Sequence, residues 1–133
     1  MKRDVLFETA KRIVELDNLL LTLDTLVSIN PQDTREWLKT KHETMLTWNE
    51  TVRKFEETQT LVAIICSKET HFALHNVTLL MKELAGKLVN NDLKAYKLSS
   101  DMISKGIITM NIAIRKELGI EEVIALNASA SSS

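Results

Sequence analysis

The chain has 133 residues, 17 of them basic and 18 acidic, for a net charge of −1. That length suits one domain with a single sizeable core. The near-neutral charge argues against a dedicated nucleic-acid binder, whose affinity comes largely from phosphate neutralisation. Three glycines, one proline and one cysteine leave too little turn punctuation for a sheet-rich fold and no possibility of an internal disulfide.

Few turns in a chain of this length mean long helices, and the periodicity agrees. The first helix is expected from about Asp4 to Val27. Leu6, Thr9, Ile13, Leu16, Leu20, Leu23 and Val27 follow one stripe in steps of three and four, and Ala10, Val14, Leu19 and Leu26 widen it. A stripe of that width suits a globular bundle better than a two-stranded coiled coil. The run Leu19-Leu20-Leu21 is interrupted by Thr22 and Asp24, too soon for a signal core or a membrane span. The expected location is therefore cytoplasmic, with no membrane partner.

The clearest boundary is Ser28-Ile29-Asn30-Pro31-Gln32-Asp33. Asn30 with Pro31 in the first turn, or Asp33 with Glu36 reaching back, can cap a second helix starting between 30 and 34. That helix carries a seven-residue repeat, with Glu-Thr at 43, 50 and 57. Its stripe reads Leu38, Lys41, Met45, Trp48, Val52, Phe55, Gln59, Val62 and Cys66. Lys41 and Gln59 are polar interruptions, which either fix helix register or extend their heads to solvent at the margin.

Punctuation fails between Leu61 and Thr70. A break near Ser67 to Thr70 gives a four-helix bundle within one chain. Without it, residues 31–89 form one helix of roughly 85 Å, at about 1.5 Å per residue, which only an oligomer could bury. Ordinary helix lengths favour the break. The third helix then spans about 69–89, with Leu74, Val77, Met81, Leu84 and Leu88 as its stripe and Phe72, Leu80 and Ala85 alongside. Gly86 within it allows close approach of a neighbour.

Asn90-Asn91-Asp92 form the next break and cap. The fourth helix is expected to run unbroken to about Leu118 along Leu93, Tyr96, Ser100, Ile103, Ile107, Met110 and Ile114, and to stop at Gly119. The predicted architecture is all-α, a bundle of about four long helices over residues 1–119, followed by a 120–133 segment with a disordered Ser/Ala tail. The alternative is fewer, longer helices completed by dimerisation.

Chemistry-bearing motifs are sparse. His71 and His75 lie one turn apart and could share a metal, but a stable site needs a third ligand that the sequence does not supply nearby. His42 beside Glu43 diverges by about 100° on a helix and forms no acid–base pair. Cys66 closes an apolar run, where a thiol acts as a small hydrophobe. No Glu-x-x-His, glycine-rich phosphate loop or Cys-x-x-Cys occurs. No enzyme, cofactor or metal is therefore expected.

Two functional expectations remain. The first is a non-enzymatic adaptor, inhibitor or regulator that binds a partner protein and acts as a homo-oligomer; Trp37, Leu38, Lys41, Val123, Ile124 and Leu126 are the candidate contacts, since tryptophan and apolar grips dominate interface energetics. The alternative is a bundle that holds a small ligand or nucleotide between helices, with Arg12, Arg53, Lys54, His71 and His75 converging on it.

Overall fold

The computed structural model describes residues 2–28 and 34–132, with side chains described through Gly119. The order is α1 (Lys2–Ser28), α2 (Arg35–Ile65), α3 (Lys68–Val89), α4 (Leu93–Ser99) and α5 (Asp101–Ser132). No strand occurs among the described residues, and the all-α bundle expected from the periodicity is the fold. No helix is long and apolar enough to cross a membrane among the described residues.

Each boundary has a local cause. Asn30, Pro31 and Asp33 lie outside the described residues; the cap of α2 is Thr34, one residue later than expected, whose hydroxyl accepts the Trp37 N–H at 3.2 Å. The chain does break before α3. Ser67 caps it by accepting the Thr70 N–H at 3.3 Å, which removes the single-helix alternative for residues 31–89. Helix α3 ends in a Schellman turn. Asp92 N–H reaches Lys87 O at 2.8 Å, Asn91 N–H reaches Leu88 O at 3.0 Å, and Asn91 takes φ 60°, a conformation asparagine tolerates better than most residues. Asp92 then caps α4 by accepting Ala95 N–H.

The fourth arm is not one helix as expected. It divides at Ser100, where Ile103 N–H bonds to Ser100 O and the Ser100 hydroxyl donates to Lys97 O. Two successive serines offer the backbone competing local bonds, and the turn tightens there. Nor does the helix stop at Gly119, since α5 continues to Ser132. The side chains of residues 120–133 fall outside the described residues, while the backbone of the expected Ser/Ala tail is helical through Ser132.

One core joins the elements. Leu6, Ile13, Leu16, Leu20 and Leu23 of α1 meet Trp48, Phe55 and Val62 of α2, Leu74, Met81, Leu84 and Leu88 of α3, Tyr96 of α4, and Ile103, Met110 and Ile114 of α5. The seam of α2 is rotated from the expected one. Trp37 is buried and Leu38 exposed, and Thr44 and Thr51 join the core while Met45 and Val52 sit at its edge. In the Glu-Thr repeat Thr44 and Thr51 turn inward, their hydroxyls donating to Thr40 O and Thr47 O. The glutamates at 43, 50 and 57 face solvent. A threonine that returns its hydroxyl to its own helix can be buried without an unmet polar group.

Candidate functional site

The helices do not pack evenly. α1 lies chiefly against α2, and α3 chiefly against α5; these two pairs meet mainly through α1 and α3, and the α2–α3 approach is thinner. Side-chain size explains the thin seam. On this edge α2 offers Glu56, Gln59, Thr60 and Ala63, which are polar or small and cannot fill the space that leucines fill elsewhere. An open groove of about 430 Å³ results, within the range of small-ligand sites.

The groove is polar where a core would be apolar. Gln59 is only 8% exposed, and its Nε2 has no hydrogen-bond partner; neither has the buried Nδ1 of His71. Two such nitrogens thus belong to side chains that line one groove. His71 stacks on His75, ring centroids 6.0 Å apart and planes 21° from parallel. Phe72 tilts against His71 at 5.7 Å. Lys82 of α3 pairs with Glu56 of α2 across the groove. Both ends of that ion pair are substantially exposed, so it contributes little. Ala63 and Leu79 supply apolar surface.

Of the five expected ligand contacts, only His71 and His75 line this groove. Arg12 lies on α1 between Glu8 and Glu15. Its hydrogen bond to Glu15, working against burial and aided by the charges of both glutamates, raises its pKa. Arg53 is taken by Glu50 and Glu57 on its own helix, and Lys54 is exposed on α2. The convergence expected of the five does not occur, because the arginines answer glutamates three or four residues away.

The expected partner contacts fare differently. Trp37 is buried, its indole N–H donating to Leu26 O at 2.7 Å. Lys41 lies over the Trp37 ring at 4.9 Å and donates to Val89 O and Asn91 Oδ1. These two residues fasten the end of the bundle, while Leu38 beside them stays exposed. Val123, Ile124 and Leu126 lie outside the described side chains. Glu69, two residues before His71 on α3, pairs with Lys116, and no three His, Cys, Asp or Glu gather as a metal-holding group among the described residues.

A second feature lies on α1. Val14, expected to widen the core stripe of α1, is exposed, and so are Phe7 and Leu21, each more than half. The three are seven residues apart, so they form a ridge along one side of α1. Arg3 lies over the Phe7 ring. Lys11 and Asp17 flank the middle of the ridge, and neither has an ion-pair partner among the described residues. Burial pushes the Asp17 carboxyl up from its ordinary value. Burial, then Asp24 and Asp17, likewise raise the Tyr96 hydroxyl.

Comparison with protein-family models, with curated proteins and with solved structures finds no match for this chain. The class its fold defines is a small all-α bundle, and its role has to be argued from its surfaces.

Proposed function

We propose that this chain is a non-enzymatic interaction protein that acts by contact with other proteins, and that its first partner is a second copy of itself, docked antiparallel along α1. The observation behind this is the exposed ridge Phe7, Val14, Leu21 along α1. An apolar stripe at seven-residue spacing is what one helix offers another.

The register is self-complementary. In an antiparallel pair centred on Val14, Phe7 of one copy meets Leu21 of the other, and Val14 meets Val14. The pairing is isologous, the same face of α1 serving both copies. With 27 residues, α1 is about 40 Å long, enough for a helix–helix interface. The single cysteine and absence of a disulfide framework support a reducing, cytoplasmic setting.

Native mass spectrometry together with light scattering tests this. The expected result is twice the chain mass at high concentration, falling to one on dilution. Val14→Glu is expected to give a monomer with unchanged helicity. A wild-type protein that stays monomeric at every concentration would sink the reading.

A further inference from the structure

We propose that the α2–α3 groove is a binding site for a small organic carboxylate with an apolar body, its two oxygens taken by the Gln59 amide and the His71 imidazole. This site does not depend on self-association through α1.

The two side chains reach the groove from opposite walls, one from each helix. Each holds a nitrogen that finds no partner in the protein. A carboxylate accepts hydrogen bonds at two neighbouring oxygens, so one such group can satisfy both an amide N–H and an imidazole N–H. The nitrogens are buried and both side chains line the groove, so an occupant is reached by rotation about their terminal torsions, which are broad and soft. Two unmet groups flanking one opening are the pattern expected where a ligand, not the protein, completes the bonding.

The remaining lining selects within the class. Lys82 can leave Glu56 for a competing carboxylate, because the pair is exposed and weakly held. Ala63 and Leu79 offer apolar contact to the body of the ligand, and the His71–His75 stack offers a flat face to a planar one. A phosphate dianion fits less well. It calls for an arginine fork or several cations, and among the described residues Lys82 is the one lysine or arginine on the groove.

The test is an NMR titration of the full chain with benzoate and butyrate, against benzamide, butyramide and inorganic phosphate. The expected result is saturable movement of the Gln59 side-chain amide and the His71 and His75 ring signals by the acids. The matched amides should bind at least tenfold more weakly. Gln59→Leu and His71→Phe should each weaken benzoate at least tenfold, with circular dichroism confirming the fold, and Lys54→Gln should change nothing. Gln59→Leu removes a buried polar group, so it should fold; His71→Phe provides an independent arm. The proposal is overturned if the amides bind as well as the acids, if phosphate saturates the same signals as tightly, or if both variants bind benzoate like wild type. Running the titration on Val14→Glu as well separates this site from the α1 interface.

Discussion

The carboxylate of Glu117 accepts the backbone N–H of Ser67 at 2.6 Å, across 50 residues of sequence. Ser67 is the cap of α3, so a side chain on α5 completes the start of α3 from outside. Lys2 of α1 reaches the same carboxylate at 3.7 Å. Three helices are thereby tied at one point, and the α2–α3 turn is held without glycine or proline. A negative charge at a helix N-terminus is also favoured by the aligned peptide dipoles.

This knot has a pH signature. Burial works to raise the Glu117 pKa, but hydrogen bonds from the Ser67 N–H and the Thr70 and Ser67 hydroxyls, with Lys2, outweigh it, and the net shift is down from 4.5. A carboxyl depressed in the fold stabilises fully above its unfolded pKa and loses that contribution as pH falls through the folded value. Thermal melts should therefore fall in acid, below about 4.5, more steeply for wild type than for Glu117→Gln. At neutral pH the variant should be less stable by about 1–3 kcal/mol, the usual loss for a hydrogen bond to a charged group. Melts of the two proteins that run parallel through the acid range would contradict the assignment.

At the opposite end the Trp37–Leu26 bond does the equivalent work. Trp37→Phe keeps most of the buried ring but leaves Leu26 O without its donor. The expected loss is about 1–2 kcal/mol, a drop of roughly 3–8 °C in melting temperature for a chain of this size. Leu38→Ser, one residue away and exposed, should move stability by no more than about 0.5 kcal/mol. Differential scanning calorimetry of the two variants gives the comparison directly.

That neighbouring pair also shows where the sequence stops being readable. On α3 the three-four spacing named Leu74, Val77, Met81, Leu84 and Leu88, and all five are buried. Period alone suffices there because the stripe is uninterrupted. On α2 it does not choose between Leu38 and Trp37, which are about 100° apart; a bond to α1 decides, and no local pattern carries it. The same holds for the groove. Gln59 was visible as a polar break in a stripe, and His71 and His75 as a same-face pair. That they share an opening follows from which helices approach closely, a tertiary property. Lys82 carried no local signal at all. The α1 ridge was legible in principle, since Phe7, Val14 and Leu21 repeat every seven residues one step from the core stripe.

The two mid-helix glycines behave oppositely, although the sequence treats them alike. A Cβ on Gly86 meets nothing within 4 Å, whereas one on Gly106 lies 3.1 Å from Val77 Cγ2. Close approach of a neighbour thus belongs to Gly106, where α5 crosses α3, and not to Gly86. Gly86→Ala should stabilise by about 0.5–1 kcal/mol through reduced backbone freedom in the unfolded chain. Gly106→Ala should gain less, because buried Val77 must yield. Gly106→Leu should destabilise by about 1–3 kcal/mol by overpacking. Urea denaturation of the three variants should rank them in that order.

Asp17 separates the stability of the bundle from its self-association. Burial raises its pKa from 3.8, so its charge opposes folding. That penalty is absent in strong acid and sets in as pH rises through the ordinary aspartate range. Asp17→Asn should therefore leave the isolated chain at least as stable as wild type at neutral pH. In the antiparallel pair the second copy covers the apolar ridge that Asp17 flanks, and a carboxylate at that margin loses further water on docking. Asp17→Asn should therefore associate at least as tightly as wild type. Val14→Glu sets a charge at the centre of the ridge and should dissociate at far higher concentration, while melting like wild type where both are monomeric. Sedimentation equilibrium of the three proteins measures the difference. A Val14→Glu chain that associates like wild type would place the interface elsewhere.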